Sequence, residues 1–216
     1  YGIQLSTNSI KLLNEIGFNE VSENDKFNPE KLDFYDIKEQ KKICDLNISK
    51  FNFENCKYTT LKRSTLIEFL KNRLDDDVIK YDHGIEKIEV KNQQISLSFN
   101  KNQNLIYDHL IISDGVFSKG KSIVSSNMNE PTYNNCIAIR GNISKNTIDN
   151  INEKNISLFV GSNFHYVIYP IDQITNTLNF IGILKYNLNL DELNNYSLFN
   201  DQDFMTNIKN NLNKKI

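Results

Sequence analysis

Tryptophan is absent from the 216 residues, cysteine occurs three times, and neither charge sign dominates. No apolar run approaches the ~20 residues that a helix needs to cross a bilayer, so neither a transmembrane segment nor a secretory leader is expected. Cys44, Cys56 and Cys136 are odd in number and widely spaced. That pattern supplies no disulfide frame and no zinc knuckle, and it fits reduced thiols in a cytoplasmic protein. Lys and Arg number 25 against 27 Asp and Glu, with a net charge of −2. This balance offers no electrostatic case for nucleic acid or an anionic membrane surface. There is also no internal repeat, no Ser-His-Asp arrangement, no metal-ligand spacing and no paired-carboxylate site to argue from.

What is present suits a water-soluble globular protein of one large or two small domains. The chain is 39% hydrophobic and 24% charged, with enough length to bury a core. Heavy use of Asn, Lys and Ile reads as compositional bias rather than as a functional signal. The sequence enters a helical pattern almost at Tyr1, and it is expected to be an internal fragment of a longer protein.

Apolar periodicity sets out the elements. GIQLSTNSIKLLNEIG (2–17) predicts an extended entry and then a helix, with Ser6, Thr7 or Asn8 as N-cap and Gly17 as C-cap. From Lys31 the period becomes two, and LDFYDIK and KKICDLNIS predict paired strands around Glu39-Gln40. TLKRSTLIEFLKNRL (60–74) returns to a helical period, with Ser64 as N-cap and Leu66, Ile67, Leu70 and Leu74 as its buried stripe. Residues 78–81, 85–90, 95–99 and 105–112 predict four short strands, and 117–124 a short helix. Residues 127–131 predict a crossing between domains. Strands follow at 136–143, 156–160, 165–170 and 178–184, with a last helix at 201–214. This order predicts α/β, or mixed α+β, with two interleaved lobes.

The stretch LIISDGVFSKGKSIV (110–124) organises the rest. Three apolar residues predict a short buried strand that ends at Ser113-Asp114-Gly115. Asp114 then puts a hydroxyl-binding carboxylate at a strand's C-terminal end, where open α/β sheets bind ligands, and Gly115 permits a tight turn. An ordinary Asp-Gly corner accounts for the same residues.

Three stretches in this order resemble the class A FAD-dependent aromatic hydroxylases, which include salicylate hydroxylase-like and ubiquinone-biosynthesis monooxygenases. GIQLSTNSIKLLNEIG is similar to the segment after that family's N-terminal βαβ unit. LKRSTLIEFL is similar to its Arg-x-x-Leu-x-x-x-Leu helix start, and HLIISDGVFSKGK to its Asp-Gly fingerprint. AIRGNI, FHYVIYPI and LNFIGIL resemble strands of its substrate domain. Two family motifs fall outside the chain, a Gly-x-Gly-x-x-Gly phosphate loop before Tyr1 and a Gly-Asp motif after Ile216. Lys121 stands where the fingerprint has Arg, and Gly120 where it has a hydrophobic residue.

The resemblance implies a partial FAD/NAD(P)-binding, Rossmann-like domain at 1–30 and 57–128. Interleaved with it would be an antiparallel-sheet substrate domain at 31–56 and 129–216. It further implies hydroxylation of a small aromatic substrate with molecular oxygen, FAD as cofactor and NAD(P)H as reductant. Cofactor contacts would come from Arg63, which opens a helix; from Ile85, through its backbone near the adenine end; and from Asp114 and Gly115. Arg140 and His165 would face substrate. For each a plain alternative exists: a solvated helix-start Arg, an ordinary strand residue, an outward strand Arg, a satisfied sheet His. Tyr166 and Tyr169 are expected to be core or interface aromatics. Two other readings stand beside this one, a related flavoprotein reductase or halogenase, and an α+β interaction module that binds no flavin.

Overall fold

β-Branched and aromatic residues at alternate positions build the strands of this chain, and short amphipathic stretches build its helices. The computed structural model describes residues 1–100, 103–125, 131–145, 151–175, 177–195 and 197–213. The strands are β1 (Gly2–Leu5), β2 (Lys26–Phe27), β3 (Lys31–Asp36), β4 (Lys42–Asn47), β5 (Thr59–Lys62), β6 (Ile85–Lys91), β7 (Gln94–Phe99), β8 (Gln103–Tyr107), β9 (Cys136–Ser144), β10 (Ile156–Val160), β11 (Phe164–Pro170) and β12 (Thr177–Lys185). The helices are α1 (Thr7–Asn14), α2 (Arg63–Lys71), α3 (Lys119–Val124), α4 (Leu190–Leu193) and α5 (Gln202–Asn213).

These elements fall into two compact units, Tyr1–Arg73 with Asn135–Ile216, and Leu74–Asn134. The first holds a three-stranded sheet in the order β1-β5-β2 and a six-stranded sheet in the order β4-β3-β10-β11-β12-β9. Among the described residues β3 with β10 is the one parallel pairing; the others are antiparallel. The fold is therefore mixed α/β, as expected.

The six-stranded sheet has two unlike faces. Register places Tyr35, Phe159, Tyr166 and Gly182 across one of them. There Tyr35 stacks on Phe159 at 4.8 Å and Phe159 on Tyr166 at 4.5 Å. Gly182 makes room for this face, because a Cβ there would lie 2.9 Å from the Phe164 ring. The other face carries Arg140, Ile181 and Val167 in one row and Ala138, Ile183 and His165 in the next.

Separate apolar clusters hold the first unit. Ile10 of α1, Phe18, Leu61 of β5 and Phe69 of α2 form one, with Phe18 edge-on to Phe69 at 5.2 Å. Ile48, Ile156, Tyr169 and Ile171 form another at the end of the six-stranded sheet. Gly17 turns the chain after α1 at φ +91°, and the Arg73 guanidinium fills the space that a Cβ would occupy. The second unit is the meander β6-β7-β8, with α3 packed on β6 and Leu97 and Phe99 buried.

Several sequence expectations need correction. The helix at 60–74 begins at Arg63, since Thr59–Lys62 is claimed by pairing with both β1 and β2. Lys62, not Ser64, is its N-cap. Of the expected stripe only Leu66 packs on the core, beside the buried Phe69, and Ile67, Leu70 and Leu74 are exposed. The C-cap of α1 is Glu15, two residues before Gly17. Residues 78–81 form turns and bends. The strand expected at 105–112 stops at Tyr107, and 110–112 is extended chain without strand pairing, Ile111 being 88% exposed. An apolar triplet becomes a buried strand only if another strand lies beside it, and among the described residues none does. The crossing expected at 127–131 lies almost wholly outside the described residues.

Candidate functional site

Arg63 opens α2 and is exposed. Its backbone N–H donates to the Tyr1 carbonyl at 2.8 Å, and among the described residues its guanidinium has no acceptor. The first turn of α2 contains no acidic residue. The positive end of the helix dipole and an unpaired guanidinium therefore add, which is the field that a phosphate-bearing cofactor requires. The residues present fit such a group.

The backbone that carries Arg63 is tied down on several sides. Thr60, fully buried, donates its hydroxyl to the Pro170 carbonyl at 2.5 Å. Lys62 reaches across to Asp172 at 2.9 Å. The Gly2 N–H donates to the side-chain oxygen of Asn179 at 2.6 Å. Gly2 is required there, because a Cβ would come within 2.9 Å of Ile171, Asn179 and Tyr169.

Arg140 and His165 share a sheet face. Arg140 pairs with Ile181, which pairs with Val167, and His165 lies one row along through Ile183 and Ala138. Two strand spacings and two residues of rise put them about 12 Å apart. Both are exposed, with partly buried aliphatic side chains between them. The Arg140 guanidinium also sits over the Tyr1 ring at 5.7 Å.

The buried end of this face is polar. Tyr58 donates its hydroxyl to Gln4 at 2.8 Å, and the Tyr169 hydroxyl hydrogen-bonds the same Gln4 side chain. Burial pushes Tyr169 up to about 12, against smaller opposing effects from Gln4 and the Arg140 charge. Burial also raises Tyr58. Both phenols are neutral at physiological pH.

Ile85, Asp114 and Gly115 lie in the second unit. Ile85 begins β6, opposite Phe99. Asp114 accepts from the Ser118 hydroxyl and from the Gly120 N–H at 3.0 Å, while Ser118 caps α3 by accepting from the Lys121 N–H at 2.9 Å. The Ser118 hydrogen bond, then the Gly120 one, lowers the Asp114 pKa. The backbone N–H groups of Asp114 and Lys119 act in the same direction. Gly115 sits at φ +87° with open space where a Cβ would be, so its role is conformational. Gly120 is steric instead: a Cβ there would meet Ile112 at 3.0 Å.

The structure thus brings Arg140 and His165 to one face in the first unit and places Ile85 with Asp114 and Gly115 in the second. Gln4, Tyr58, Lys62, Asp172 and Asn179 escaped the sequence reading. Asn179, one polar residue inside the apolar strand LNFIGIL, carried a usable signal, because an interior strand amide needs a partner. A cavity of about 280 Å³ between α1, β2 and the loop before β5 is lined by Asn14, Lys26, Asn28 and Lys57 and contains none of the predicted site residues. No cluster of metal-ligating side chains occurs among the described residues.

No protein-family model and no curated protein sequence matches the chain. Solved structures do. Klebsiella pneumoniae HpxO, complexed with FAD and uric acid, superposes with a TM-score of 0.71 at 16% identity, over 89% of this chain and 50% of that one. A salicylate hydroxylase substrate complex gives 0.70 at 12% identity, over 88% and 49%. The 2,6-dihydroxypyridine-3-hydroxylase of Arthrobacter nicotinovorans gives 0.69 at 13%, over 88% and 47%. The chain has the fold of the FAD-dependent aromatic hydroxylases. It spans about half the length of the solved structures it matches.

Proposed function

We propose that this chain is part of an FAD-dependent monooxygenase that hydroxylates a small aromatic substrate, with molecular oxygen as oxidant and NAD(P)H as reductant. The observation that carries the reading is the sheet face bearing Arg140 and His165. It offers a flat aliphatic floor for a ring, a cation at one side for an anionic substituent, and the neutral phenols of Tyr58 and Tyr169 at its buried end. The likeness in fold to HpxO and salicylate hydroxylase supports it. When bound, FAD would supply the activation of oxygen, so the protein's part is to position groups and exclude water. That division of labour accounts for why no nucleophile or acid–base pair stands out in the sequence.

Arg63 would hold an anionic part of FAD by charge-assisted hydrogen bonds. Asp114 would accept from cofactor hydroxyls, Gly115 would keep that turn clear, and the Ile85 backbone would meet the adenine end. Arg140 would hold a carboxylate or phenolate of the substrate, with His165 beside it. Residues 1–30 and 57–128 would then serve the cofactor, and 31–56 and 129–216 the substrate. A cytoplasmic location fits the three free thiols, and among the described residues no helix is long and apolar enough to cross a membrane.

The test is a reconstitution of the full-length protein with FAD, followed by NADH and NADPH oxidation with and without a panel of phenols, salicylate and urate. Faster flavin bleaching with one aromatic, and loss of that stimulation in Arg140→Gln, is the expected result. Flavin uptake with no aromatic stimulation would move the reading to a reductase, and no uptake at all would remove it.

A further inference from the structure

The Asp172 carboxylate is buried, with its side chain 3% exposed, in the turn between β11 and β12. It is fully partnered. Its Oδ1 accepts from the Ile174 N–H at 3.2 Å and from the Thr175 N–H and hydroxyl, both at 2.7 Å. Its Oδ2 accepts from the Thr175 hydroxyl and takes the Lys62 ammonium at 2.9 Å. The contacts from Ile174 and Thr175 organise the turn. The contact with Lys62 leaves it, and reaches the residue immediately before Arg63.

A buried carboxylate is costly to keep charged unless hydrogen bonds and an opposite charge repay its desolvation. Here burial alone would raise its pKa, yet the Thr175 hydrogen bonds and Lys62 together outweigh that and hold it low. Lys62 is itself 42% exposed and could spread into water at little cost. Instead its head is drawn inward, onto the end of the six-stranded sheet. Together with the Thr60 bond to Pro170 and the Arg63 N–H bond to Tyr1, this fixes the strand-to-helix corner from which the Arg63 side chain leaves.

We infer that Asp172 and Lys62 form a positioning pair for Arg63, coupling the corner proposed to bind FAD to the sheet proposed to hold substrate. The pair also keeps the Lys62 charge turned away, leaving Arg63 to face an anionic ligand. Neither residue is a catalytic residue; they act through Arg63. The inference rests on the proposed role of Arg63 toward FAD.

A thermodynamic cycle on FAD affinity tests it, with the Kd of the full-length protein read from quenching of FAD fluorescence. Arg63→Ala is expected to weaken binding tenfold or more. Asp172→Asn is expected to weaken it about fivefold in the wild-type background and to have no effect on top of Arg63→Ala. Lys62→Met is expected to behave as Asp172→Asn does, and it leaves the Thr175 bonds of the turn in place, so the cycle survives if Asp172→Asn fails to fold. Asp172→Glu should restore part of the affinity. An equal loss in both backgrounds, or no loss from either Asp172→Asn or Lys62→Met, would overturn the pair's role while leaving Arg63 as a cofactor contact. Unchanged affinity in Arg63→Ala would overturn the Arg63 reading itself, and the inference with it.

Discussion

Asp172 and Asp114 perform the same local task in the two units of the molecule, and the difference between them is instructive. Each carboxylate accepts hydrogen bonds from residues just ahead of it and so shapes a turn. Asp172 does so inside a packed unit, where it also meets a lysine from a distant strand and sits against buried Ile171. Asp114 does so at the surface of the smaller unit, where its partners all lie within six residues. Both units expose some apolar residues, but among the described residues full burial of apolar side chains occurs in the first alone. Leu61, Tyr169, Leu178 and Leu184 of the first unit are 0–1% exposed, whereas Val90, Ile106, Ile111, Val116 and Phe117 of the second are 64–88% exposed. Long-range partners turn a local turn into part of a framework. Without them it holds only its own loop.

The contrast makes graded predictions. Leu61→Ala, at the centre of the α1–β5–α2 cluster, should destabilise the first unit by about 3 kcal/mol in a urea melt. Asp172→Asn should cost about 2 kcal/mol at neutral pH, since it removes charge-assisted bonds from a buried group. Because the folded pKa of Asp172 is lowered, its contribution is fully present above the ordinary carboxylate pKa and is lost as pH falls through the lower folded value. A wild-type melting series from pH 6 downward should therefore steepen below about pH 4, and Asp172→Asn should flatten that limb. Ser118→Ala should cost about 1 kcal/mol through loss of the α3 cap, seen as faster amide exchange at Lys121 and little change elsewhere. Ile111→Ser should stay within about 0.5 kcal/mol in either direction. A large loss from Ile111→Ser would break the contrast, by showing that the second unit's apolar residues are covered after all.

Much of the first unit was legible because each strand carries its own period. Paired strands around Glu39-Gln40 and the spans of β10, β11 and β12 all follow from alternation of side chains on a pleated backbone. Legibility failed where one residue type served two roles. Thr60, Leu61 and Lys62 look helical beside the residues that follow, yet two neighbouring strands claim their backbone, and the helix buries Phe69 where the pattern pointed to Leu70. The triplet at 110–112 looks like a strand because periodicity cannot tell a strand from an extended segment with no neighbour. Among site residues, Arg63 and Asp114 stood out by their place beside a helix start and a turn. Lys62, Asp172 and Gln4 did not, since each is defined by a partner more than 50 residues away.

Composition and spacing alone determined that this chain folds as a mixed α/β protein, that its thiols are unpaired, and that Arg63 opens a helix while Arg140 and His165 lie on strands. Tertiary structure decided which of these residues share a face, which turn Asp172 fastens to the Arg63 corner, and that Asp114 spends its bonds on capping its own loop. The physical reason is that periodicity and capping are set by neighbours along the chain. Burial, ion pairing and the choice of face depend on which strands meet, and that is decided by packing between segments far apart in sequence.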